Sequence, residues 1–165
     1  MSSGSNPLLP AFKAAMRRMA ATVCVIAAGG SGGARRGITA SSVVSLSADP
    51  PALLIAINTR SSLHDVVSEG SRLSVNLLSR GQEAIARAFS SVAVRGNARF
   101  DVGRWTEVGG VPALEDAQAV LCCVVERVVT HATHTVLFVT VHGVQVSSHV
   151  APLLYLDGRY LSLPE

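Results

Sequence analysis

From Thr22 to Leu163 the chain is a series of short, β-branched apolar runs packed closely in sequence. The clearest are TVCVIAA, GITASSVVSLSA, ALLIAIN, RLSVNLL, AQAVLCCVVERVVT, HTVLFVTVHGVQV and PLLYLDGRYLSL. Parallel strands need crossovers of about a dozen residues or more, and most of these connections are shorter. The pattern therefore predicts a mainly β chain: a closed or partly closed antiparallel barrel with a few short helices packed outside. The first helix is expected over Pro10 to Ala20, with Phe12, Met16 and Met19 on one face. A second runs over Ser61 to Glu69, closed by Gly70. A third opens at the S-x-x-Q capping box Ser79-Arg80-Gly81-Gln82 and reaches Phe89. Residues 90–116 read as loop, and Asp157-Gly158 reads as a hairpin turn. Residues 1–9 read as a flexible leader and 10–165 as a single domain.

Only 15% of the 165 residues are charged, against 48% hydrophobic, while about a quarter is usual for charged residues. So little charge points to a surface partly buried in an oligomer. "ALLIAI" and "AVLCCVV" lack polar alternation, as strands covered on both faces do; three short helices are too few covers, so a homodimer is expected. The net charge of +3 suits a small anionic ligand. The arginines are scattered and aromatics make up 4%, which argues against a nucleic-acid surface. No apolar run approaches the ~20 residues of a membrane helix. KAAMRRMAATVCVIAAGG imitates a signal peptide, but its β-branched run reads as a core strand. Cys24, Cys122 and Cys123 contain no C-x-x-C, and adjacent Cys122 and Cys123 point to opposite faces of a strand. Free buried thiols in a reducing cytoplasm are expected.

Several familiar sites are absent. GGSGG satisfies G-x-S-x-G, but the nucleophile elbow needs a helix next, and the residues from Gly37 to Ser45 are β-branched instead. The dinucleotide fingerprint fails at Arg35, where the third glycine should stand. His131 and His134 would face opposite sides of one strand, and His134 and His142 would lie about 26 Å apart, so neither pair chelates a metal unless the strand breaks.

Polar residues inside apolar strands are the remaining signal. Thr39, Ser41, Ser42 and Ser45 interrupt one strand, Asn58, Ser61 and Ser62 come after another, and Asn76 sits inside SVNLL. Buried polar groups need partners, and Ser61-Ser62 precede a helix whose N–H groups could face an anion. With no acid–base pair among them, they suggest a site that holds a ligand. A solvent-facing edge with internally satisfied hydroxyls is the plainer alternative.

The order GITASSVVSLSADPPALLIAIN, SSLHDVV, SRLSVNLLS, ARF, HATHTVLFVTVHGV and PLLYLDGRY, over residues 10 to 160, resembles the short-chain flavin reductases, the reductase components of two-component flavin monooxygenases. The resemblance implies a split β-barrel homodimer, cytoplasmic, that reduces FMN or FAD with NADH or NADPH and passes reduced flavin to a partner monooxygenase. It implies that Thr39, Ala40, Ser41 and Ser42 line the flavin, that Ala56, Ile57, Asn58, Ser61 and Ser62 reach its ribityl and phosphate end, and that Asn76, Leu77, Ser79 and Phe89 lie nearby. His134 and Tyr160 fall to the nicotinamide. No residue is implied as a catalyst, because hydride passes between bound cofactors. Two departures stand out. Ala132-Thr133 replaces the family's Gly-Asp before the histidine, and Val43 replaces a larger residue, which is expected to widen the pocket. Two rival readings are a barrel flavoprotein that keeps its flavin for its own substrate, and a non-catalytic flavin- or haem-binding module.

Overall fold

The computed structural model describes residues 6–29 and 33–164. Most of the expected leader and the middle of the GGSGG loop lie outside the described residues. Helix α1 is Leu9–Met16, followed by β1 Ala21–Thr22, β2 Cys24–Ala28, β3 Arg36–Ala40, β4 Val43–Ala48, β5 Pro51–Asn58 and β6 Arg72–Leu77. Helix α2 is Glu83–Ser90, then β7 Trp105–Val108, β8 Val111–Leu114, β9 Ala119–His131, β10 His134–Val146, β11 Leu153–Leu156 and β12 Arg159–Ser162. Two 3-10 turns, His64–Val66 and Gly96–Asp101, complete the set. The main sheet has seven strands in the order β3-β2-β6-β9-β10-β5-β4, and every pairing is antiparallel.

The sheet curls without closing. Its edge strands β3 and β4 are joined only by Ser41 and Ser42, so the expected barrel is split there. The curl is visible in the inner core, where Ile26, Val75, Cys123, Leu137 and Ile55 from five different strands share one cluster with Ala40 of β3. Alternation along β2 sends Val25 and Ala27 to a second, outer cluster with Phe89, Phe100 and Leu114. Cys122 and Cys123 divide between the two clusters in the same way.

The outer cluster has a cover that the sequence reading misses. Within the segment read as loop, β7 and β8 form a hairpin around Gly109 and Gly110, both at positive φ (62° and 82°). Gly-Gly is a known signal for such a turn. The hairpin and α2 cover much of the outer face of β2, β6 and β9, which weakens the argument that helices alone leave that face bare. The residual apolar surface lies elsewhere. Phe12, Met16 and Met19 are 58%, 44% and 64% exposed on and just beyond α1, and Val44 and Leu46 are exposed on edge strand β4.

Polar side chains fasten the hairpin. Ser74 donates to the carbonyl of Pro112. Asn76, fully buried, donates from Nδ2 to Val25 O (3.1 Å) and Ser74 Oγ (2.9 Å), and its Oδ1 accepts from Leu114 N (2.9 Å). This explains a polar residue inside SVNLL without a ligand.

Other elements differ from expectation in detail. The helix over Ser61–Glu69 is a single 3-10 turn, begun by Ser61 Oγ accepting from His64 N. Only half of the capping box forms: Gln82 Oε1 accepts from Ser79 N (2.7 Å), while Ser79 Oγ turns to Asp116 O. His131 and His134 are cross-strand partners on either side of the Ala132-Thr133 turn, not residues of one strand. Ala132 there has φ 52°, a left-handed backbone that glycine adopts more readily.

Replacing Asn76 by alanine strands a buried N–H and a buried C=O. Asn76→Ala is expected to lose about 2–4 kcal/mol of stability. Urea unfolding would show this as a lower midpoint at unchanged slope; a loss under about 1 kcal/mol contradicts the assignment.

Candidate functional site

A cleft of about 940 Å³ opens along the split. One side is β3 with the end of α2 and the loop after it; the other is the end of β5 with its succeeding loop and the start of β10. Thr39, Ala40, Ser41, Ser42, Ala56 and Ile57 line it. So do Asn58, Ser61, Ser62, Phe89 and His134. The curl explains the convergence: β3 and β5 are remote in the ladder but meet across the gap between the sheet's edges.

The hydroxyls of the GITASS stretch have separate fates. Thr39 Oγ1 donates to Ala86 O of α2 (2.6 Å) and fixes the helix to the sheet. Ser42 Oγ donates to Ala56 O (2.7 Å), and Ala56 N returns a bond to Ser42 O (3.0 Å). Ser41 makes no hydrogen bond to any described residue and faces the cleft. Of the cleft's three β3–β4 hydroxyls, one is thus left for a ligand.

Asn76, Leu77 and Ser79 stand apart from this cleft. Asn76 and Ser79 hold the hairpin and the Asp116 loop, and Leu77 packs against the inner cluster between Cys24 and Ala119. Tyr160 is also outside it, in an adjoining 250 Å³ hollow that shares Thr39, Ala40, Ser41 and Ser90. Its ring meets Tyr155 edge-on at 5.2 Å, and burial raises its phenol above the ordinary value, so it stays protonated at neutral pH. Val43 is not among the cleft's lining residues; it packs against the inner cluster. Phe89 reaches the cleft but is held by Phe100 and Trp105 at 4.9 and 5.2 Å between ring centres.

Sequence reasoning misses the cations. Arg36, Arg60, Arg95 and Arg99 line the cleft, with Asp65 the one carboxylate among its lining residues. The available signal is RGNARF, two arginines directly after the helix that carries Phe89. Burial and the neighbouring Arg95 lower the Arg99 pKa from its ordinary value, which leaves a guanidinium charged. The cleft is therefore cationic. No cysteine lines it, and burial pushes the Cys24 and Cys123 thiols up to about 12. Among the described residues no three metal-binding side chains come together. The arrangement can bind an anion and flat polar groups; it offers no activated nucleophile.

An open sheet curled around one core, with a cationic cleft along its split, defines a ligand-holding barrel. The model of the flavin reductase like domain matches residues 16–164, and the chain belongs to that family. The FMN reductase (NADH) RutF of Variovorax paradoxus (strain S110) is 36% identical over 163 residues, covering 97% of this chain and 89% of the relative. The styrene monooxygenase flavin reductase of Pseudomonas putida S12 is similar at TM-score 0.83 and 28% identity, over 93% of this chain and 97% of that one. The NADH:FAD oxidoreductase SgcE6 of Streptomyces globisporus C-1027, solved with NAD and FAD fragments, reaches TM-score 0.86 at 26% identity, over 99% and 98%. The fold is the split barrel of these flavin reductases.

The two serines at the split separate by stability alone. Ser42→Ala is expected to cost about 0.5–1.5 kcal/mol, the usual worth of one hydrogen bond. Ser41→Ala should stay within about 0.5 kcal/mol of the parent. Thermal unfolding of both variants checks this, and the reverse order would contradict the assignment of the two hydroxyls.

Proposed function

We propose that the chain is an NADH-dependent FMN reductase that hands reduced flavin to a separate monooxygenase. The cleft carries this reading: the guanidinium groups of Arg36, Arg60 and Arg95, the hydroxyls of Ser41 and Ser62 without a partner among the described residues, and no activated nucleophile, in a volume within the usual range for cofactor sites. Such a donor set fits a flavin phosphate and the polar edge of a flat ring. When bound, the flavin supplies the redox chemistry, taking a hydride from a reduced nicotinamide.

The chain's own residues hold and orient. Arg36, Arg60 and Arg95 would meet the phosphate; a guanidinium matches phosphate oxygens two at a time. Ser41 would bond the ring's polar edge, and the backbone of Thr39–Ser42 and Ala56–Asn58 would flank it. Ser61 Oγ accepts from His64 N and shapes the loop that carries Arg60; Ser61 and Ser62 would lie toward the ribityl and phosphate end. His134 lines the cleft, its Nδ1 engaged with Thr133 Oγ1 at 2.9 Å, and with Tyr160 it is assigned to the nicotinamide side. Holding two reactants face to face is sufficient catalysis for a transfer between cofactors. The relatives' names favour FMN and NADH, with FAD the second flavin to try because a similar structure holds FAD fragments.

The same reading takes the working form to be a homodimer in the cytoplasm. Supporting it are the uncovered apolar side chains of α1 and β4 and three free cysteines. Among the described residues no helix is long and apolar enough to cross a membrane.

Purified chain is expected to oxidise NADH in air in proportion to added FMN. No turnover with any pairing of FMN, FAD, NADH and NADPH would sink the reading, and flavin that stays bound through gel filtration would favour the rival flavoprotein. Sedimentation at micromolar concentration is expected to give twice the 17.1 kDa chain mass; a monomer at full activity would remove the dimer.

A further inference from the structure

One wall of the cleft has no regular element behind it. Ser91–Arg95 runs between α2 and the 3-10 helix Gly96–Asp101 without helix or strand, and Val92 is 82% exposed. Yet Ser91, Val92, Arg95 and Gly96 line the cleft. Segments with so few buried contacts open easily, so the wall needs an attachment. Ser91 Oγ accepts from Ala93 N (3.1 Å) and Val94 N (3.4 Å), which shapes the segment without tying it to anything else.

The attachment is Arg99. Its Nη2 donates to Ser91 O (2.7 Å) and its Nε to Val94 O (2.8 Å), both on the wall. Its Nη1 donates to Gly37 O (2.6 Å), on edge strand β3. Gly37 is itself confined, because a Cβ there would lie 2.6 Å from the Phe89 ring. One guanidinium therefore ties the wall to the part of the sheet that α2 packs against. Its planar fork suits this task, since donors on two edges hold fixed directions; an ammonium is a single point and cannot reproduce them.

We propose that Arg99 is the positioning residue of the cleft: it fixes the Ser91–Gly96 wall against β3, and so sets where Arg95 stands relative to Arg36 around the bound flavin. This rests on the flavin-reductase reading above. It assigns Arg99 no contact with the reacting atoms.

The test uses the full chain, with Arg99→Lys and Arg99→Gln in parallel. Amide hydrogen exchange in each variant without flavin should quicken about tenfold over residues 92–96, with β9 and β10 unchanged. The KM for FMN should rise about tenfold, while kcat at saturating FMN and the KM for NADH stay within about twofold. Lysine should not rescue, because charge alone is not what the site uses. Uniform acceleration of exchange, or failure of both variants to fold, overturns the proposal, since Arg99 then supplies general stability. Unchanged exchange over 92–96, or an unmoved KM for FMN, overturns it too. If the parent chain neither binds nor reduces FMN, the flavin reading falls and takes this proposal with it. If the parent reduces FMN and only the variants' KM is unmoved, this proposal alone falls.

Discussion

The architecture depends on a covalent constraint. The two edge strands of a seven-stranded sheet, β3 and β4, are neighbours in sequence, joined by Ser41 and Ser42. A flat sheet of that width would hold its edges far apart, since strands lie about 4.8 Å from one another. The chain can satisfy the link only by curling, and right-handed twist makes curling natural. Curling brings side chains from β2, β5, β6, β9 and β10 onto one interior core. It also leaves a gap where the edges fail to pair. The core and the cleft are thus two results of the same short link.

That link also governs how the polar residues divide. Near the split, backbone groups lack a complete ladder, and side chains take over. Thr39 ties β3 to α2, and Ser42 ties the link to β5. Away from the split, Ser74 and Asn76 on β6 fasten the β7–β8 hairpin. The polar groups of all four are engaged within the fold. The hydroxyls that structural bonding leaves over in the cleft include Ser41 and Ser62, while Arg99 beside them is itself committed to three backbone carbonyls.

Much of this is legible in the sequence. Antiparallel strands come from connection lengths, the split faces of Cys122 and Cys123 from strand alternation, and the Asp157-Gly158 turn from its residues, both at positive φ (50° and 78°). Thr39–Ser42 of the GITASS stretch line the cleft. The illegible part depends on tertiary pairing. A buried asparagine looks the same in sequence whether it meets a ligand or Leu114 N. An arginine in a loop looks solvated until its three carbonyls are known. The β7–β8 hairpin does carry a local signal in Gly109-Gly110, but Pro112 and the weak alternation beside it obscure the strands. The two histidines read as residues of one strand because the two-residue turn at Ala132-Thr133 contains no glycine.

The distribution of sulfur has a consequence for how the chain ages. Thiols react with peroxides as thiolates, and Cys24 and Cys123 are both buried and held protonated, with Cys122 shifted in the same direction by burial. Thioether sulfur needs no ionisation. Among the described residues, Met16 and Met19 are exposed in the single chain, so in an unpaired chain oxidative damage there falls first on the apolar side of α1 and its following turn. Conversion to the sulfoxide makes those side chains polar. The surface that loses its greasiness first is then the one that the chain leaves uncovered, while the core sulfurs outlast it.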